Sequence, residues 1–447
     1  MDTPICDFVR RYAGENTLRL HMPGHKGKPE LGPEPLDITE IAGADSLYEA
    51  SGIIAQSEAN AGTLFGANTF YSAEGSSLCI RGMLYLACLA AKRKGKTPHI
   101  LAAPNVHKAF LSAVALLNIT LSWLEPTEKA SYLSGDISPQ ELKQVLAGMT
   151  ETPTAVYLTS PDYLGHMADI AGLASVCHQY GVLLLVDNAH GAYLKFLPES
   201  LHPMDLGADL CCDSAHKTLP VLTGGAYLHI SKTAEPWMKE SAKQGLALFG
   251  STSPSYLILQ SLDKANAYLE KDCPKELAEF LPLVIRLQKR LQQHGYVLYG
   301  EEPCKLTLAA GRFGYTGKEL EAILADAGIV CEFADIEFVV MMLTPTIGEQ
   351  ELERIGGILC GITQKTPLAV LPPVFGKREQ VLSVREAMLA PFVWMDARES
   401  VGRILAMPSV GCPPAVPIVI CGQRIQEEDV KQFAIYGVEK LCVVKER

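Results

Sequence analysis

An α/β fold built on a largely parallel sheet is predicted by three observations. Short apolar runs without polar alternation, such as Ala155–Leu158 and Val182–Val186, read as strands buried on both faces. Helical stretches separate these runs, and residues capable of polar chemistry follow them at their carboxyl ends. The chain of 447 residues also exceeds what one hydrophobic core holds, so about two to three structural units are expected.

Thr69–Tyr71 is the first strand of this pattern, followed by a helix over Ser76–Lys92 and a strand at His99–Ala102. Ala155–Leu158 comes next, then a helix over Ile170–Tyr180 with Gly181 as its C′ residue, then the strand Val182–Val186. From about Leu262 the rhythm changes to a long charged helical stretch, Lys264–Gln293, broken at Pro274. Shorter strands and helices follow, including Gly317–Ala327 and Glu349–Cys360. The expected organisation is an N-terminal arm (1–40), a large domain (41–261), a small α+β domain (262–366) and a C-terminal segment (367–447). The arm is rich in Gly and Pro, as in His21–Gly27, and is expected to pack on the surface and reach a partner subunit. The Pro-rich stretch Pro367–Pro373 enters the last segment, which ends in a helix near Glu427–Tyr436.

Apolar residues make up 48% and charged ones 20%, a globular balance without low-complexity tracts or repeats. A net charge of −11 with scattered Lys and Arg argues against a nucleic-acid surface and mildly favours cationic substrates. The 13 cysteines show neither CxxC pairs nor finger-like spacing, so a reducing cytoplasm is expected, with Cys211 and Cys212 on a strand behaving as small apolar residues. Met1–Arg11 is no signal peptide, and no apolar stretch of about eighteen residues predicts a membrane span.

Lys217, in Ser214-Ala215-His216-Lys217-Thr218, and Asp187, in Val186-Asp187-Asn188-Ala189-His190, each follow a strand at the same sheet edge. Pyridoxal 5′-phosphate needs a lysine to hold its aldehyde as a Schiff base and a carboxylate to keep its pyridine nitrogen protonated, and this pair supplies both. Gly75-Ser76-Ser77 opens a helix, where backbone N–H groups and hydroxyls suit a phosphate dianion; either serine is a phosphate donor or the helix N-cap. Ser214 is a further phosphate donor or a turn-forming serine. His107, after the strand His99–Ala102, either lies flat over the cofactor ring or is a structural histidine. Ala189 lets the opposite ring face approach closely, and His190 and His216 either touch the cofactor or orient Asp187 and Lys217 from behind. No metal is implied. Glu49, Asp45 and Asp162 are candidate carboxylates for a distal substrate cation, against the reading as ordinary acids.

Together, Leu20–Gly27, Gly75–Ser77, Asn105–Lys108, Thr159–Pro161, Val186–Ala192 and Ser214–Thr218 resemble the Orn/Lys/Arg decarboxylase family. The resemblance covers roughly residues 15–260 and is weaker beyond. It implies the aspartate-aminotransferase fold (pyridoxal phosphate fold type I) with a seven-stranded type of sheet, in the short form without an N-terminal flavodoxin-like domain. By position it implies Lys217 as Schiff-base lysine, Asp187 as pyridinium partner, His107 as ring-stacking histidine, and Ser76, Ser77 and Ser214 as phosphate ligands. Thr252, in Ser251–Ser255, is implied as a phosphate ligand for the neighbouring subunit, which would make a homodimer obligatory for activity. The chain departs from the family at Glu74, where many relatives have asparagine, and at Asn188, where an acidic residue is usual. Val401–Ile404 and Pro413–Pro417 resemble the family's closing signature, but Cys421-Gly422-Gln423 replaces its usual Pro-Gly-Glu.

The function expected is α-decarboxylation of lysine, arginine or ornithine to the corresponding diamine or polyamine, with Lys217 displaced by the substrate amine and a proton returned to Cα. Two rivals stand beside it. An aminotransferase or lyase of the same fold would anchor the substrate carboxylate on an arginine, with Arg312 or Arg403 available. A cofactor-binding protein without turnover would retain the site and lack product formation.

Overall fold

The computed structural model describes residues 1–15, 17–124, 137–368, 378–412 and 416–446. Strands β1 (Asn68–Ser72), β2 (His99–Ala102), β3 (Thr120–Trp123), β4 (Ala155–Thr159), β5 (Leu183–Asp187), β6 (Leu210–Asp213) and β7 (Ala226–Ile230) form a seven-stranded sheet in the order β1-β7-β6-β5-β4-β2-β3. The pairs β2·β3, β2·β4 and β5·β6 are parallel, whereas β7 runs antiparallel to both β1 and β6. The predicted α/β class and mostly parallel sheet are therefore present. Leu184, Leu185 and Val186 of β5 and all of β6 are buried, as continuous apolar runs covered on both faces must be.

By contact the chain divides into two compact units, each drawn from two stretches. The first joins Met1–Lys94 to Ile170–Leu277. Its helix Gly75–Arg93 starts at Gly75, whose φ of +72° is a conformation that glycine adopts without strain. The helix Ile170–Gln179 closes with Gly181 at φ +67°, the expected C′ residue. Residues Pro4–Gly14 form a helix with Ile5, Cys6 and Val9 buried and the Cys6 amide bonded to Asp263 Oδ2 (2.9 Å). That corrects the expectation that the whole arm merely lies on the surface: an i, i+1, i+4 apolar stripe buries the first eleven-residue helix in the unit's core. Beyond it, Leu18, Leu20, Met22 and Leu31 are exposed.

The second unit joins Gly95–Asp169 to Ala278–Arg447. Strands β8 (Leu298–Tyr299), β9 (Lys305–Ala309), β10 (Phe333–Ala334) and β11 (Phe338–Met342) form an antiparallel sheet in the order β10-β11-β9-β8. Two antiparallel two-stranded ribbons follow, β12 (Phe392–Asp396) with β15 (Lys440–Val444), and β13 (Ser409–Cys412) with β14 (Val416–Ile420). Phe333, Phe338 and Val340 share one apolar cluster with Leu405, Val419, Phe433 and Val443, so the C-terminal residues pack into the core of the small sheet. The charged stretch after Leu262 is two helices, Tyr256–Lys271 and Cys273–Gln293; Pro274 sits in the first turn of the second, where its missing N–H is harmless. The Pro367–Pro373 connection from residue 369 onward, and Pro413–Ala415 of the closing signature, lie outside the described residues. Among the described residues no helix is long and apolar enough to cross a membrane.

Candidate active site

Two adjacent parallel strands deliver the central residues. In the β5·β6 register Asp187 faces Cys212, and the ladder continues one step with Asn188 N–H donating to Cys212 O (3.0 Å). Asp187 is buried, and its Oδ1 accepts from Ala189 N–H (3.2 Å) and from the Cys212 thiol (3.5 Å). The chain turns at Asn188–Gly191, where Gly191 N–H donates to Asn188 O (2.8 Å), and this turn carries the buried His190. β6 ends at Asp213, and the following turn Ala215–Thr218 presents Lys217, half-buried, with Nζ 3.0 Å from His190 Nε2. The amine at 217 and the turn that begins at Asp187 thus meet, although 27 residues separate the bonded pair.

Ser214 and Ser76 also meet, Ser214 Oγ donating to Ser76 Oγ at 2.7 Å across 138 residues. Ser76 and Ser77 lie in the first turn of the Gly75–Arg93 helix, whose N-cap, Glu74, makes no side-chain capping bond. Gly75 differs from expectation in one respect: its N–H is already donated to Gly224 O (2.7 Å), so its own amide is spent on holding the turn. Glu74, one of the departures, accepts from Ser251 N–H (2.5 Å) and so ties the exposed Ser251–Ser255 loop, with Thr252, to the start of that helix.

His216 Nδ1–H donates to Gly225 O (3.0 Å), since a carbonyl only accepts. His107 belongs to the second unit, where it is the N-cap of the Lys108–Leu117 helix and its Nδ1 accepts from Ala109 N–H (3.2 Å). Its ring is half-buried. Three proposed cation readers have other employment or surroundings. Asp45 accepts backbone N–H bonds from Ser46, Ser51, Gly52, Ile54 and Ala55, which hold its carboxyl below the usual range against the opposing effect of burial. Asp162 is buried, accepts from Leu164 and His166 N–H (both 2.9 Å), and is pushed up to about 6 by desolvation. Glu49 lies in a single 3₁₀ turn, Leu47–Glu49. Arg403 pairs with Glu446 (3.1 Å) and donates to Val444 O (3.1 Å), while Arg312 is exposed. Gln423, in the altered tail, is buried and accepts from Ile420 N–H (3.0 Å), closing a turn.

Sequence reading missed the group beneath this turn pair. Asp213 Oδ2 accepts from His202 Nε2 (2.9 Å) and His229 Nε2 (3.0 Å), and its Oδ1 accepts from Asn188 Nδ2 (2.7 Å), all fully buried. Burial pushes the Asp213 carboxyl up, but the two imidazoles outweigh it and hold the group below the usual carboxylate range. Cys211 and Cys212 are more than apolar filler, since the Cys211 thiol points at Asp213 Oδ1 (3.7 Å) and that of Cys212 at Asp187. The twelve cysteines whose side chains are described, Cys412 not among them, are free and none is exposed.

The residues present fit pyridoxal phosphate on three counts: a half-buried lysine, a buried carboxylate one strand away, and two paired hydroxyls at a helix start without a side-chain cap.

A family model described as "Orn/Lys/Arg decarboxylase, major domain" matches residues 3–299. An uncharacterised Bacillus subtilis protein, YaaO, is 29% identical over 97% of this chain and 94% of its own length. An arginine decarboxylase of the same organism is 28% identical over 96% of this chain and 92% of its own length. Among solved structures, the Francisella novicida lysine decarboxylase LdcF superposes with a TM-score of 0.80 at 16% identity, covering 98% of this chain and 79% of that one. A Sphingomonas wittichii serine palmitoyltransferase superposes at 0.56 and 14% identity, covering 81% of this chain and 83% of that one, which extends the likeness in fold beyond decarboxylases.

Proposed function

Because the chain belongs to the Orn/Lys/Arg decarboxylase family, we propose that it is a pyridoxal-phosphate-dependent α-decarboxylase acting on lysine, arginine or ornithine. The observation that carries this reading is Lys217 Nζ at 3.0 Å from the imidazole of the turn that begins at Asp187. An amine nucleophile and a buried carboxylate delivered by neighbouring strand ends are what the cofactor demands of a protein.

When bound, the cofactor supplies an electron sink for cleavage of a bond to the substrate Cα. Lys217 is the residue that would hold its aldehyde carbon, and Asp187, buried away from water, would keep its pyridine nitrogen protonated. Ser76, Ser77 and Ser214, with the amides of the Gly75–Arg93 helix start, would bind its phosphate. His107 would cover one ring face and Ala189 would leave room on the other. His190 holds the Lys217 amine in position and is its proton partner, so we assign proton return at Cα to Lys217, with His216 supporting the same loop.

The products would be diamines or polyamine precursors. We further read the active form as a homodimer in which Thr252 reaches the neighbouring site. Support comes from the exposed Leu18 (80%), Leu20 (82%), Met22 (67%) and Leu31 (91%), an apolar set suited to a second copy. We also read its location as cytoplasmic, which the free, unexposed thiols of the twelve described cysteines support.

Purified protein supplied with the cofactor and with lysine, arginine or ornithine separately tests the proposal. Carbon dioxide and the matching amine are expected from at least one of them. Retained cofactor colour with no product from any would refute turnover, and amino transfer to a keto acid without carbon dioxide would favour the aminotransferase rival.

A further inference from the structure

The β5 and β6 ends face the proposed cofactor site with one side and a closed polar network with the other. Successive strand residues point to opposite faces, so Asp187 and Cys212 share one face while Asn188, Asp213 and Cys211 share the other. On that second face every proton can be assigned. His202 Nδ1 accepts from Met204 N–H (3.3 Å), so its Nε2 carries the proton that goes to Asp213 Oδ2. A carboxylate low in pKa only accepts, so His229 Nε2–H is also a donor, and its Nδ1 then takes the Thr69 hydroxyl (2.9 Å). Asn188 Nδ2–H occupies the other oxygen. His202, Cys211 and Asp213 bring ligand-type atoms within 4.8 Å of one another, but the imidazole nitrogens already have hydrogen-bond partners, so the cluster is complete without an ion.

We propose that Asn188 and Asp213 are positioning residues whose cross-strand bond sets the distance between the Asp187 and Lys217 loops, and hence the affinity for the cofactor. This rests on the cofactor reading above. The bond joins the residue immediately after Asp187 to the residue immediately before Ser214, and two buried histidines anchor its acceptor to β7 and to the 200–206 turn. Gly191 adjoins the clamp: a Cβ there would meet Asn188 Oδ1 at 2.0 Å, so a larger residue would have to displace the Asn188 carboxamide. Neither residue is placed against the cofactor, and each acts through its neighbour.

Asn188→Asp sets a carboxylate against the Asp213 carboxylate, whereas the exchange Asn188→Asp/Asp213→Asn restores one acid and one amide, with the new amide oxygen facing His202 and His229. Cofactor affinity of the folded proteins is read by titrating cofactor-free protein with pyridoxal phosphate and following the long-wavelength absorbance. We expect Asn188→Asp to weaken binding by about 10- to 100-fold and the exchange to return it to within about threefold of wild type. Asn188→Ala, which deletes the bond without adding charge, carries the test where Asn188→Asp does not fold, with weaker binding again expected. Wild-type affinity in folded Asn188→Asp or Asn188→Ala, or an exchange variant as weak as Asn188→Asp, overturns the inference alone. Wild-type protein that takes up no cofactor overturns it together with the function proposed above.

Discussion

Ser76→Ala and Ser214→Ala each delete one hydroxyl of a pair that stands 2.7 Å apart at the start of the Gly75–Arg93 helix. If both hydroxyls donate to one phosphate, each loss removes a hydrogen bond to a charged group, about 1.5–3 kcal/mol. At 1.4 kcal/mol per decade, each single variant should bind pyridoxal phosphate roughly 10- to 100-fold more weakly. The pair should not behave independently. Without ligand the two hydroxyls satisfy each other, so the double variant should fall short of the product of the singles by a coupling of about 0.5–3 kcal/mol. A spectroscopic titration of the four proteins, wild type included, measures all of these terms. Single variants that both remain within about twofold of wild type would refute the phosphate assignment, and with it the placing of the cofactor at this helix start.

Lys217→Ala should leave the protein folded and abolish the long-wavelength absorbance of bound cofactor; an unchanged spectrum would refute the anchor assignment. Gly191→Ala forces a Cβ within 2.0 Å of Asn188 Oδ1 and 2.7 Å of Leu194 Cδ1, and should cost about 1–3 kcal/mol, read as a lower Tm. Asp45→Ala removes the acceptor for the amides of Ser46, Ser51, Gly52, Ile54 and Ala55, a capping-type loss of about 0.5–2 kcal/mol by denaturant titration, with substrate KM unchanged; a raised KM would revive its role as a cation reader. Asp162, pushed up to about 6 by burial, binds its proton more tightly in the folded than in the unfolded chain. Its contribution to stability is therefore full below about pH 4 and is lost as pH rises through about 6. Asp162→Asn should flatten the decline in stability over that interval, and an identical pH profile would refute the assignment.

The sheet was legible because period and composition are local properties. Val182–Val186 is apolar without alternation and Gly181 breaks the helix before it, and both signals survive in the structure as β5 and a positive φ. The positions of the candidate residues were legible for a related reason: polar residues in such sheets gather at strand ends, and Asp187 and Ser214–Lys217 do follow the buried strands β5 and β6. The helix at Pro4–Gly14 was hidden by its Gly- and Pro-rich sequel, since its stripe of Ile5, Cys6 and Val9 is short. His202 and His229 carried no signal at all. One lies in a turn and the other amid a buried strand, and nothing along the chain marks their meeting at Asp213.

Residue type and order alone determined that an amine and a carboxylate would arrive at one sheet edge, because strand and helix periods are set within a few residues. Tertiary structure alone decided which groups satisfy one another: Lys217 with His190, Ser214 with Ser76, and Asp213 with Asn188 and two histidines. A buried polar atom must find a partner wherever the fold supplies one, and the separation along the chain, 138 residues for Ser76 and Ser214, leaves no trace of that choice in the sequence.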